Sequence, residues 1–305
     1  MSAGGGTKAI VAALAANVGI AVTKLVAFLL TRSSSMLAEA IHSFADSGNQ
    51  VLLLVGGRRA QRHATPAHPF GYGRERYVYG FIVSVVLFSV GGLFALYEAY
   101  HKWHDPHGIH SWQWVPIAVL LAAIGMEGFS FRTAIAESNR ERGDRSWAQF
   151  VRTAKAPELP VVLLEDSAAL LGLVFALFGV AMTLLTGDGR WDSVGTAMIG
   201  LLLVVVAVVL AIEMKSLLLG EGATPDNVRA IEGALAGEGV ESVIHMRTMH
   251  LGPEELLVAA KVAVQPTNSA ADVASAIDAA ERRVRAAVPI ARVIYLEPDI
   301  RRPEA

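Results

Sequence analysis

Ser34 to Val55, SSMLAEAIHSFADSGNQVLLLV, limits the fold of this chain more than any other stretch. Its length and its apolar content suit a helix that crosses a bilayer, for which roughly twenty residues are needed. Yet Glu39, His42 and Asp46 stand in its interior. His42 and Asp46 are four apart, so on a helix they share a face, one turn from each other. An imidazole and a carboxylate held that way can share one divalent cation. Ionisable groups inside a membrane segment are costly, and such groups mark function by default. The alternative is structural: His42 bonds to a neighbouring helix and Asp46 pairs with a basic residue. Glu39 lies one turn further toward Ser34, where it either lines an exit or is solvated near the surface.

The composition agrees with a membrane chain. Of 305 residues, 53% are hydrophobic and 18% charged, against about 25% charged in an ordinary soluble domain. Mean hydropathy is +0.44. A net charge of −2 gives no basic excess that would point to nucleic acid. With no cysteine, disulfides, thiolate zinc sites and cysteine nucleophiles are excluded. The first apolar run lacks a clear small-residue cleavage site, so we read it as a retained span.

Six apolar segments have bilayer length: 8–30, 36–57, 77–99, 114–135, 159–185 and 193–216. In lipid the backbone must satisfy itself, which makes them helices. The loop 58–76 holds Arg58, Arg59, Arg62, Arg74 and Arg76. The loop 136–158 holds Arg140, Arg142, Arg145, Arg152 and Lys155. These basic loops belong on the cytoplasmic side, which places both termini there too. After Gly220 the pattern turns to a soluble α+β unit. Thr224-Pro225 opens a helix. Strands follow at 241–251 and 255–264 about a Gly252-Pro253 turn, then a helix at 269–287 and a strand at 292–296. The order αββαβ suits a small antiparallel sheet with both helices on one face. The expected division is a transmembrane domain at 1–219 and a cytoplasmic domain at 220–305.

One helix turn supplies too few ligands for a metal. The fifth span offers Glu165 and Asp166 and runs opposite to the second, at overlapping depth. Adjacent acids point about 100° apart; Asp166 is the expected ligand and Glu165 its substitute or a proton carrier. The alternative leaves both merely wet near the interface. Glu127 in the fourth span relays protons or pairs with Lys24 of the first, while Asn17 suits an interhelical hydrogen bond. The histidines of 101–110 either collect metal or belong to an interfacial belt with Trp103, Trp112 and Trp114. His63 and His68 precede HPFGYG at 68–73, where they hand on metal or shape a turn. No GxxxxGK[ST] phosphate cradle, Ser-His-Asp set or HExxH motif is present. An ATP-driven pump and a hydrolase are thereby disfavoured. Metal ligands must lose protons to bind, so metal/proton exchange is the natural mechanism.

These residues resemble the cation diffusion facilitator family over nearly the whole chain. SMLAEAIHSFAD at 35–46 is similar to the family's HSxxD signature, with His42 and Asp46 in the ligand places. HPFGYG at 68–73, WDSVGTAMIG at 191–200, EMKSLLLGE at 213–221 and RTMHLGP at 247–253 resemble further family segments. The resemblance implies an all-α six-helix transmembrane domain with a ferredoxin-like α+β domain, a homodimer, and export of zinc or related divalent ions against protons. No enzymatic activity, prosthetic group or nucleic-acid partner is implied. The expected place is a bacterial inner (plasma) membrane. Where the family carries HxxxD on the fifth span, the histidine place is Val162, and LeuGluAsp at 164–166 resembles a branch of the family. An oxygen-richer site tilts from zinc toward manganese or iron, with cobalt also open. His245 and His250 do not fall on the family's regulatory places, so the second domain is expected to dimerise more than to sense metal. The rival reading is a membrane-anchored metal sensor or scaffold, for which acids within three spans have no use.

Overall fold

A computed structural model of the chain describes residues 3–106, 108 and 112–301, with side chains from Asn17 onward. The chain divides into two compact units. One runs to Gly56 and resumes at Val78–Met214; the other combines Gly57–Tyr77 with the chain from Lys215 onward.

The first unit is helical. Its long helices are α1 (Ala3–Thr31), α2 (Ser34–Ala60), α3 (Glu75–His104), α4 (Trp114–Arg142), α6 (Glu158–Thr186) and α7 (Arg190–Leu219), with the short α5 (Trp147–Thr153) between α4 and α6. A helix of 27 to 30 residues is about 40–45 Å long, enough to cross a bilayer with its headgroups. Four of them, α3, α4, α6 and α7, are long and apolar enough to span by length and composition alone. Asn17–Thr31 of α1 is a shorter apolar helix. Helix α2 has the length but is less apolar, because its polar groups fill the half that begins at Ser34. Within α3, Leu87–Leu93 winds as a π-helix.

The packing is that of a lipid-solvated bundle. Met36, Leu120, Leu173, Ile199, Leu203 and Leu210 are fully buried between helices. Phe129, Leu185, Leu201 and Val205 point outward, where lipid tails are as apolar as the core. Helices α6 and α7 approach closely: a Cβ on Gly195 would stand 2.7 Å from the Phe175 carbonyl oxygen, and one on Gly179 2.9 Å from that of Trp191. Larger residues there would force the backbones apart.

The entry to α2 is held by a residue from α7. The buried Asp192 carboxylate accepts from Ser33 Oγ at 2.8 Å, the Ser34 amide at 2.6 Å and the Ser35 amide at 3.3 Å. It satisfies amides that a helix start leaves open, and its charge suits the positive end of the helix.

In the second unit, α8 (Pro225–Leu235), β1 (Ser242–Gly252), β2 (Glu255–Ala263), α9 (Ala270–Ala287) and β3 (Ala291–Asp299) keep the expected order. Thr224 caps α8 with Pro225 at its first position, and Ser269 caps α9 through a reciprocal pair with Asp272. The sheet runs β1-β2-β3, with β1 antiparallel and β3 parallel to β2. The expected antiparallel sheet is thus corrected to a mixed one. The reason is the α9 crossover, which returns the chain to start β3 beside the start of β2. Ile231, Leu235, Val258, Val262, Ala280 and Val284 form its core. The loop 57–77 belongs to this unit and meets the β1–β2 turn. A Cβ on Gly73 would lie 2.8 Å from the Leu251 carbonyl oxygen, so the two glycine-bearing motifs touch.

Candidate metal centre

The face of α2 that carries Glu39, His42, Ser43, Asp46 and Asn49 spans about 120° of the helix surface. Glu39, His42, Ser43 and Asn49 are buried, and Asp46 is 16% exposed. His42 Nδ1 lies 3.4 Å from Asp46 Oδ1, ion-pair distance without hydrogen-bond geometry. Neither ring nitrogen of His42 has a hydrogen-bond partner among the described residues, and neither has Asp46 Oδ1. Buried polar atoms are nearly always paired. Three such atoms stand side by side on this face.

Helix α6 lies antiparallel against this face. At one end Asn49 Nδ2 donates to Glu165 Oε1 at 2.7 Å. At the other, Glu39 Oε1 is 2.8 Å from where a Cβ on Gly172 would stand. These contacts are about 15 Å apart along α2 and about 10 Å apart along α6. Beside the Asn49–Glu165 contact a small cleft opens, lined by Asp46, Glu127, Glu165 and Asp166 with Asn17, Ser43, Gln50, Ser130 and Val162. Its volume of about 20 Å³ is room for one water-sized particle. Asp166 accepts from Ser130 Oγ at 3.1 Å.

The structure therefore brings Asp46 together with Glu165 and Asp166 in one cleft and adds Glu127 as a fourth carboxylate. His42 stands one turn away on α2 and is not part of the lining. Among the described residues no group of three or more His, Asp and Glu side chains closes into a ready metal-binding set. The donors form a stripe along α2 and α6 instead of a single point.

Two alternatives about charge that the sequence left open are narrowed. Lys24 pairs with Glu39, not Glu127: Nζ lies 2.9 Å from Glu39 Oε2 and also donates to Ser43 Oγ at 2.8 Å. Glu39 is fully buried, not solvated. Spacing alone cannot rank two acids for one lysine on another helix. Asn49 and Ser130, which orient Glu165 and Asp166, were legible only as neighbours: Asn49 follows Asp46 by three residues and Ser130 follows Glu127 by three.

Among the described residues the outlying histidines do not gather. His101 and His104 lie at the end of α3, stacked against Tyr97 and Tyr100 at 4.4 and 4.3 Å; His107 and His110 lie outside the described residues. Trp103, Trp112 and Trp114 are exposed. His68 shapes a turn by exchanging two backbone bonds with Thr65, and His63 is exposed. His245 is exposed, and His250 is buried with Nδ1 3.3 Å from the Gly252 carbonyl oxygen.

Residues 10–219 match the family described as the cation efflux transmembrane domain. The mitochondrial proton-coupled zinc antiporter SLC30A9 of Xenopus laevis is 35% identical over 225 residues, 73% of this chain and 40% of its own length. Metal tolerance protein C4 of Arabidopsis thaliana is 25% identical over 252 residues, 81% of this chain and 54% of that protein. The magnetosome protein MamM of Magnetospirillum gryphiswaldense is 23% identical over 277 residues, covering 88% and 80% of the two chains. The matched region is thus well under half of the zinc antiporter's length.

Proposed function

Because the chain belongs to the cation efflux family, we propose that it exports divalent transition-metal cations, zinc foremost, from the cytoplasm in exchange for protons. Manganese, iron and cobalt are the alternatives that a carboxylate-rich site admits. One observation carries the reading: Asp46 of α2, Glu127 of α4, and Glu165 and Asp166 of α6 line one cleft, inside helices of membrane-spanning length. Carboxylates concentrated there are costly unless a cation visits them.

His42, Asp46 and Asp166 are assigned as ligands to the transported ion. Glu165, held by Asn49, is their alternate or the proton carrier. Ligands must be deprotonated to bind metal, so acid on the receiving side displaces the ion and the released site returns loaded with protons. A proton gradient then supplies the driving force without nucleotide chemistry. The basic loops 58–76 and 136–158 support a cytoplasmic placement of both termini, in a plasma membrane of bacterial type.

We assign 1–219 as the efflux domain and 220–305 as a dimerisation domain, so that the working unit is a homodimer. Tyr295 and Ile244 are exposed on the strands of that domain, and apolar surface of this kind suits a partner copy.

The test is metal flux into proteoliposomes loaded with a proton-sensitive dye. Zinc uptake should drive proton movement the opposite way, and Asp46→Ala should abolish both while leaving the elution volume of the assembled protein unchanged. Flux at the original rate in that variant rejects the site.

A further inference from the structure

The Lys24–Glu39 pair is not used by the mechanism above, although it adjoins His42 on the same face of α2. Lys24 is 1% exposed and Glu39 0%. Taking two charges out of water is expensive, and a buried pair is often no more stabilising than apolar residues of equal size. A pair placed between membrane helices therefore calls for a use. Its geometry is lopsided. The ammonium spends its bonds on Glu39 Oε2 and Ser43 Oγ. Glu39 Oε1 has no hydrogen-bond partner among the described residues and is fully buried. It points at the bare backbone of Gly172 on α6, where any side chain would crowd it. One turn along α2, both nitrogens of His42 are likewise unpartnered. The polar stripe thus continues past the cleft toward Ser34, and its last carboxylate is already occupied by a cation that belongs to the protein.

We propose that Glu39 is a second carboxylate station for the transported ion, beyond His42 and Asp46 on the outward side, and that the tethered ammonium of Lys24 occupies it until the ion arrives. Metal advancing from Asp46 takes over Glu39, with Oε1 as its first oxygen. Lys24 swings away, and its return to Glu39 expels the ion and blocks re-entry. No bond to hydrogen is broken in this exchange; one cation replaces another. The inference rests on the proposed transport function, but it fails or stands separately from it.

The test counts zinc bound to the purified full chain in lipid nanodiscs, by metal analysis after equilibrium dialysis against zinc alone. Loss of bound zinc in Asp46→Ala reports on the transport site. The new station is read from Lys24→Met, which should bind one more zinc per chain than the unaltered protein. Lys24→Met/Glu39→Gln should lose that extra ion. If Lys24→Met is monodisperse and binds no more zinc, the station is rejected. The neutral double variant replaces the pair without leaving a lone charge, so it remains informative should the single variant misfold. It should bind zinc at the first site as tightly as before while its flux falls about tenfold or more, the order expected of a coupling residue. Unchanged flux in the double variant overturns the proposal.

Discussion

The α2–α6 face and the αββαβ unit handle polar groups in opposite ways. In the αββαβ unit each helix start is closed by its own residues: Thr224 accepts from the Asn227 amide, and Ser269 and Asp272 bond reciprocally. Its core is aliphatic, with Leu256, Val258 and Val262 fully buried. Along α2, by contrast, Glu39, His42 and Asp46 keep polar atoms unpaired while apolar residues of the bundle face outward. One region is arranged for stability. The other holds polar atoms with no partner among the described residues, as sites built for function often do. Truncations should separate them.

The largest effect is expected on the polar face. Asp46→Ala should reduce zinc flux in proteoliposomes to background, yet its thermal midpoint in detergent should stay level or rise, since a buried carboxylate is removed. A fall in midpoint with flux retained would merge the two regions into one design. Next comes Leu256→Ala in the aliphatic core. It should cost about 2–5 kcal/mol of the second unit's stability, seen as faster amide exchange across β2, while the folded fraction keeps zinc binding. Asp192→Ala crosses the contrast, because a bundle residue acts there as a cap. Losing three hydrogen bonds to one carboxylate should cost about 1–3 kcal/mol, and exchange at Ser34 and Ser35 should rise. Ser269→Ala should cost about 1 kcal/mol and be confined to the first turn of α9.

The smallest effects are those of pH on the second unit. Hydrogen bonds from the Ser269 hydroxyl, then from its amide, hold the Asp272 carboxyl below its ordinary 3.8. That support is full above about pH 4 and is lost as the pH falls through the lowered value. Lys261 is raised above 10.5 by its bond to Glu297 and then by that to Asp299. Its contribution is full below that value and is lost as the pH rises through the raised one. Amide exchange in α9 and β3 should therefore be insensitive to these two groups between about pH 5 and 9. Acid sensitivity of zinc binding over the same range would then belong to the bundle.

Local patterns were legible wherever the physics is local. The i, i+4 spacing of His42 and Asp46 put them on one face, and Thr224-Pro225 marked the start of α8. The boundaries of β1, β2 and α9 fell within a residue or so of their expected places, because caps and turns act over a few residues. The parallel pairing of β3 was not legible, since it depends on where α9 packs. The partner of Lys24 was not legible either, since Glu39 and Glu127 are equally plausible acids until the helices are docked.

What the sequence alone determined is which residues are polar where lipid should be, and on which helix faces they stand; periodicity and the cost of buried charge suffice for that. Tertiary structure decided that α2 and α6 meet at Asn49–Glu165 and at Glu39–Gly172, that Asp192 caps α2, and that Lys24 occupies Glu39. These contacts join residues from 15 to 159 positions apart, and no local propensity encodes the register in which separate helices pack.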